Sequence, residues 1–207
     1  MDNKAMFKLS YGLYVVTARE GGKDNGCIVN TAMQITSEPN RISVTVNKAN
    51  YTHDMIMNTR KLTVSVLSED ATFDLFKRFG FQSGRDVDKL EGFNGYEKGM
   101  SDIVYITEGT NAYIHGQVIE TIDVGTHTIF ICDVIDMNVL SDVPSATYAY
   151  YHEHIKPQAD NVSSKADGKT VWKCTICGHI YEGEELPADY VCPLCKHGAS
   201  DFEKIGD

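Results

Sequence analysis

Apolar and polar side chains alternate strictly along Arg41-Ile42-Ser43-Val44-Thr45-Val46-Asn47 and again along Lys61-Leu62-Thr63-Val64-Ser65-Val66. Period two places the apolar side chains on one face, as in half-buried antiparallel strands. Residues 14–17, 27–35, 112–122 and 126–139 also read as strands, with turns at 20–22 and 123–125 where glycines fall. Two helices interrupt them. One begins near Thr52, and the other runs from a Ser68 cap through Phe73, Phe76 and Phe79 until Gly80 ends it. The expected fold is mainly β, a large antiparallel sheet of six or more strands that closes into a barrel.

The alternation stops at residue 157. Residues 157–170 contain a single aliphatic side chain larger than alanine, Val162, and show no periodicity, so they read as a tether. As a flexible coil such a tether spans roughly 20 Å, enough for the C-terminal segment to visit a neighbouring domain or subunit. The expected division is a barrel over 1–156, a linker over 157–170 and a small domain over 171–207. The 207 residues, 42% of them hydrophobic, suit one medium domain and one small one. A tail of about forty residues falls below the size at which an apolar core alone suffices, which calls for a metal.

That tail carries the thiols. Cys174-Thr175-Ile176-Cys177 and Cys192-Pro193-Leu194-Cys195 are separated by fourteen residues, a spacing that brings four thiolates around one tetrahedral metal. Four-sulfur ligation suits zinc or iron, and spacing alone favours a zinc ribbon. The fuller string does not stop at the thiols. Trp172, Gly178, Tyr181 and Gly183 surround the first pair, Leu186-Pro187-Ala188-Asp189-Tyr190 leads into the second, and Ala199-Ser200-Asp201-Phe202-Glu203 comes after it. Taken together it resembles the short rubredoxin domains joined to rubrerythrins. The resemblance implies one redox-active iron on Cys174, Cys177, Cys192 and Cys195. Lys196 stands where many rubredoxins carry a glycine.

Charge narrows the partners. With 29 acidic against 19 basic residues the net charge is −10, which argues against nucleic acid or an anionic membrane surface. Three lysines face seven acidic residues across 171–207, a balance that would dock an electron carrier on a basic patch or simply keep a small domain soluble. No twenty-residue apolar run and no signal-peptide core at the N-terminus point to a cytoplasmic protein. Cys27 and Cys132 sit singly in strand-like segments and read as buried small hydrophobes.

Candidate chemistry in the barrel lies in the polar run from Asn25 to Pro39 and in Asn47-Lys48-Ala49-Asn50-Tyr51-Thr52. Lys48, Asn50 and Thr52 crowd a helix start, whose N–H groups and dipole favour a phosphate. The plainer reading makes Thr52 an N-cap and Lys48 a solvated lysine. The order of these strings, with Tyr11-Gly12-Leu13-Tyr14 before them and Gly125-Thr126-His127 after, resembles the FMN-binding split barrel of the flavin reductase family. That resemblance implies FMN rings held along Asn30, Thr31, Ala32, Met33, Gln34, Ile35 and Thr36. It implies a phosphate near Asn47, Lys48, Asn50 and Thr52, with Tyr51 and His53 close by, and His127 lining the flavin or nicotinamide site. It also implies a homodimer.

The whole order of barrel, tether and tail resembles the high-molecular-weight rubredoxins, which implies an NAD(P)H oxidoreductase passing electrons through FMN to iron and on to a flavodiiron protein. No G-x-G-x-x-G fingerprint occurs, so a nicotinamide would lie against the flavin itself. Lys77-Arg78-Phe79-Gly80-Phe81 could help hold the nicotinamide, with Arg78 near a pyrophosphate, while the plainer reading makes Lys77 and Arg78 basic residues closing a helix. His115, His152 and His154 are not expected to bind metal, and Tyr148, Tyr150 and Tyr151 read as core or interface aromatics. Two other functions stay open on the residues. One is an electron relay reduced by a separate enzyme, and the other a zinc-ribbon docking module on a ligand-binding barrel.

Overall fold

Strand β1 (Tyr14–Glu20) turns through Gly21 and Gly22, both at positive φ, into β2 (Lys23–Val29). An added Cβ would strain either glycine. Next come β3 (Ala32–Ser37), β4 (Asn40–Asn47), helix α1 (Tyr51–Thr59), β5 (Lys61–Leu67) and helix α2 (Phe73–Gly80). Short strands β6 (Tyr96–Lys98) and β7 (Val104–Ile106) precede two long ones, β8 (Thr110–Asp123) and β9 (His127–Val139). A helical turn α3 (Tyr148–Tyr150) continues into a π-helical turn over Tyr151–Ile155. This computed structural model describes residues 5, 8–157, 171–175, 178–192 and 198–205.

Seven strands form one sheet in the order β2-β1-β5-β8-β9-β4-β3, every neighbouring pair antiparallel. β2 and β3 are consecutive in the chain yet lie at opposite edges. The single strand expected over 27–35 is therefore two, broken at Asn30 and Thr31. Hydrogen bonding explains the break, because Val29 still pairs with Tyr14 while Thr31 exchanges bonds with Thr45 at 3.1 and 2.8 Å. A two-residue link joining both edges curls the sheet into a split barrel, closed by the chain rather than by a ring of hydrogen bonds.

β1 is buried on both faces, with Val15 and Val16 each fully inaccessible, which is why it reads as an apolar run rather than an alternation. Val16 faces the barrel interior with Val44, Val46, Leu62, Phe130 and Cys132, and α1 adds Met55 and Ile56 to that core. Val15 faces a second core with Leu67, Leu75, Phe76, Phe79 and Ile106, where α2 packs. The α2 cap differs from expectation. Ser68 is buried, bridged to Ser145, and donates its N–H to Gly109, so Thr72 takes the position before the helix.

The C-terminal lobe is a three-stranded sheet, β11-β10-β12, of β10 (Val171–Cys174), β11 (Ile180–Glu182) and β12 (Phe202–Ile205). Cys174, Cys192 and Phe202 form its buried core, flanked by Trp172, Tyr181, Leu186 and Tyr190. A Cβ at Gly183 would sit 2.8 Å from the Tyr181 ring, so this close approach requires glycine. Among the described residues no helix is long and apolar enough to cross a membrane.

Candidate cofactor sites

A cavity of about 340 Å³ opens where β2, the start of α1 and the loop after α2 converge. Asn25 and Cys27 come from β2, Asn50, Tyr51 and Thr52 from the α1 entry, and Phe81, Gly84 and Lys89 from the loop. Asn50 occupies the N-cap position without a side-chain cap bond, and the first turn of any helix leaves N–H groups without intrahelical partners. Thr52, fully buried, accepts from the Asn25 amide at 2.9 Å, and its hydroxyl lies beside the Cys27 thiol. A Cβ on Gly84 would fall 2.1 Å from Asn25 Oδ1, so only glycine brings the loop this close.

Cations border the cavity, and one of them, Arg85, is paired with Asp54 at 2.6 Å. Lys23 and Arg85 each lie 5.1 Å from the centre of the Tyr51 ring. Lys89 is 3% exposed and donates to the Gly26 and Phe79 carbonyls at 2.8 and 2.9 Å. Burial pulls its ammonium down to about 8, against the Cys27 charge, and two bonds leave one of its three protons for an anion. Burial likewise pushes the Cys27 thiol up, opposed by Lys89, Thr52 and Asn50. The donors and charge therefore fit a phosphate. The sequence did not single out Lys89, since a lysine between Asp88 and Glu91 reads as a solvated loop.

Asn47, Lys48, His53 and His127, named from the sequence, do not line this cavity. Lys48 pairs with Asp123 at 2.7 Å, and Asn47 accepts from the Ala49 N–H at 2.9 Å, shaping the turn into α1. His53, on the buried face of α1, has its Nε2 2.9 Å from the Thr128 hydroxyl of β9 and its Nδ1 3.1 Å from Asp54, so it ties the helix to β9. His127 opens β9 opposite Asn47 and bonds to Thr126 at 2.8 Å. Arg78 braces the following loop through the Lys89 and Glu91 carbonyls at 2.9 and 3.1 Å, in accord with its reading as a helix-end residue.

A second, apolar cavity of about 320 Å³ is lined by Ala32, Met33 and Gln34 of β3 together with Tyr14, Ile42 and Met137. Asn30, Thr31, Ile35 and Thr36 line neither cavity; Thr31 bonds to Thr45 and Thr36 to Pro39. Met33, Ile35, Met137 and Val139 are exposed beside this opening, 65, 42, 57 and 68% accessible, which is far more apolar surface than β-strand ends need.

In the tail, Cys174 and Cys192 are both fully buried in one core, and Gly178 at positive φ donates its N–H to the Cys174 carbonyl at 2.9 Å. Two sulfurs converging in a dry aromatic pocket fit soft-metal ligation. Cys177, Cys195 and Lys196 lie outside the described residues.

Comparisons with known proteins cover both lobes of the chain. Residues 6–159 match the family described as "Flavin reductase like domain", and residues 172–203 match "Rubrerythrin, rubredoxin-like domain". The chain belongs to the flavin reductase-like family, in the high-molecular-weight rubredoxin type that joins the barrel to a rubredoxin-like domain. It is 36% identical to the "High molecular weight rubredoxin" of Moorella thermoacetica over 99% of this chain and 100% of that protein. It is 39% identical to the "Ferric-chelate reductase (NAD(P)H)" of Archaeoglobus fulgidus over 73% of this chain and 89% of that protein. Among solved structures, the NADH:FAD oxidoreductase SgcE6 of Streptomyces globisporus C-1027 superposes with a TM-score of 0.62 at 19% identity, covering 70% of this chain and 84% of its own, and so shares the fold. The protein is thus an oxidoreductase of flavin-based electron transfer, with a flavin reductase-like domain joined to a rubredoxin-like one.

Proposed function

We propose that the barrel binds FMN, accepts electrons from NADH or NADPH, and passes them to an iron on Cys174, Cys177, Cys192 and Cys195 and on to an acceptor protein of the flavodiiron class. The observation that carries this reading is the cation-bordered, donor-lined cavity at the start of α1, in a chain that also buries cysteines in a second core. When bound, a flavin takes two electrons as hydride and releases them singly, which a four-thiolate iron requires.

The residues divide the work. The α1 first turn, the Thr52 hydroxyl, Asn50 and Lys89 hold the phosphate, while Tyr51 closes its edge. The segment from Asn30 to Thr36, the link and most of β3, supplies backbone groups to the rings, with Asn47 and Lys48 near the phosphate and His53 and His127 close by. The nicotinamide stacks on the flavin face, since no separate dinucleotide fold is present among the described residues. The exposed Met33, Ile35, Met137 and Val139 suit a homodimer contact that covers the apolar cavity. The chain works in the cytoplasm, where its nicotinamide donor is.

Anaerobic stopped-flow mixing with NADH and with NADPH tests this reading. Flavin absorbance should bleach with at least one of them. No bleaching by either overturns the nicotinamide route.

A further inference from the structure

Phe81 belongs to two environments at once. It lines the cation-bordered cavity with Asn25, Thr52 and Lys89, and it packs against the tail core of Cys174, Cys192 and Phe202. Its ring meets Phe73 edge-on at 5.9 Å, which ties it to the first turn of α2. A second contact joins the lobes nearby, where Lys156 Nζ donates to the carbonyl of Thr175, the residue after Cys174. Lys156 is itself fixed, its N–H bonded to Tyr151 at 2.7 Å, and Tyr151 stacks on Phe76 at 4.4 Å. Thr175 is held from the other side by the Asp201 carbonyl, through its N–H at 2.8 Å and its hydroxyl at 2.9 Å. Phe81, Lys156 and Thr175 also line one small shared cavity of about 190 Å³.

We propose that the iron lobe docks on the barrel of its own chain at the end of α2, with Phe81 as the positioning residue that sets the distance from flavin to iron. This rests on the electron route proposed above. With both groups bound, a hydride would leave the flavin two electrons and one proton richer. Two one-electron steps would each take iron(III) to iron(II), the single proton would pass to water over the pair of steps, and the oxidised acceptor protein would return the iron to iron(III) between them. Tunnelling falls steeply with separation, so a contact shared by the cavity wall and the cysteine core governs the rate. An aromatic side chain fills that contact without bringing a polar group to be desolvated.

Two measurements test it. In Phe81→Ala, photoreduced flavin should reduce iron about tenfold more slowly or worse per bound flavin, with Phe81→Tyr restoring the rate to within about threefold. An unchanged rate in Phe81→Ala overturns the proposal. The second needs no turnover: in full-length protein, ferric iron should broaden amide resonances of residues 73–84. The broadening should vanish when labelled chains carrying zinc are mixed with unlabelled chains carrying iron. Broadening that persists in the mixed sample places the docking across chains and overturns it. Because photoreduction and resonance broadening do not use nicotinamide, they remain informative even where the nicotinamide route fails.

Discussion

The Asn25 amide donates to the Thr52 hydroxyl across 2.9 Å, stitching β2 to the first turn of α1 at the floor of the cation-bordered cavity. Both side chains are buried, Asn25 at 2% and Thr52 at 0% exposure, so neither has water as an alternative partner. The bond therefore orients the groups that face an incoming phosphate.

Thr52→Val keeps the shape and removes the hydroxyl. Leaving the Asn25 amide unpaired should destabilise the fold by about 1–3 kcal/mol. FMN affinity should fall by about tenfold, as loss of one charge-assisted bond implies. Denaturant unfolding and flavin fluorescence titration measure the two effects.

Lys89 gives the apoprotein a pH dependence of known sign. Its ammonium is pulled down to about 8 from the ordinary 10.5, so between those values the unfolded chain binds more protons than the folded one. Stability contributed by this group therefore rises with pH across that window and is flat below it. Urea midpoints for the native chain and Lys89→Met should converge or cross as pH increases from 7.5 to about 10, and parallel curves would contradict a buried, depressed lysine.

Stripping the metal should unfold the tail and spare the barrel, because the small lobe buries too little apolar surface alone. Trp172 is the single tryptophan and flanks the cysteine core, so its emission should shift to the red on chelation while the thermal transition of the barrel persists.

Cys192→Ser should leave reduction of bound flavin by nicotinamide within about twofold of native, since the ligand lies in the other lobe, and should abolish transfer to the acceptor. Loss of flavin reduction in this variant would reverse the order of carriers.

The strands were legible wherever one face meets solvent. β4 and β5 follow from alternation, and β8 and β9 from their length and the Gly125 turn between them. The break at Asn30 and Thr31 was not legible, because it depends on Thr31 reaching Thr45, a contact that local pattern does not encode. The same holds for the α2 start, where Ser68 has the right chemistry for a cap but is claimed by Gly109, in the turn before β8, and by Ser145, in the segment before α3. At the site, Asn50, Tyr51 and Thr52 were visible as a polar helix entry. Lys89 and Gly84 were not, since each enters the cavity from a loop whose path is set by tertiary contacts rather than by its own sequence, and Phe81 was visible only within a helix-end segment that could help hold a nicotinamide, not as a wall shared with the tail core. The cysteine spacing is the opposite case, as four thiols in one short segment signal a metal without the fold, while spacing alone favours zinc and only the fuller string resembles an iron-binding rubredoxin domain.

The central claim is that a flavin in the barrel feeds iron in the tail of the same protein. An anaerobic titration of the purified chain with the effective nicotinamide, followed by visible absorbance, tests it most directly. The account predicts that the flavin band and the ferric-thiolate bands both bleach, with iron reduction following flavin reduction. Ferric absorbance that stays constant after the flavin is fully reduced would contradict it.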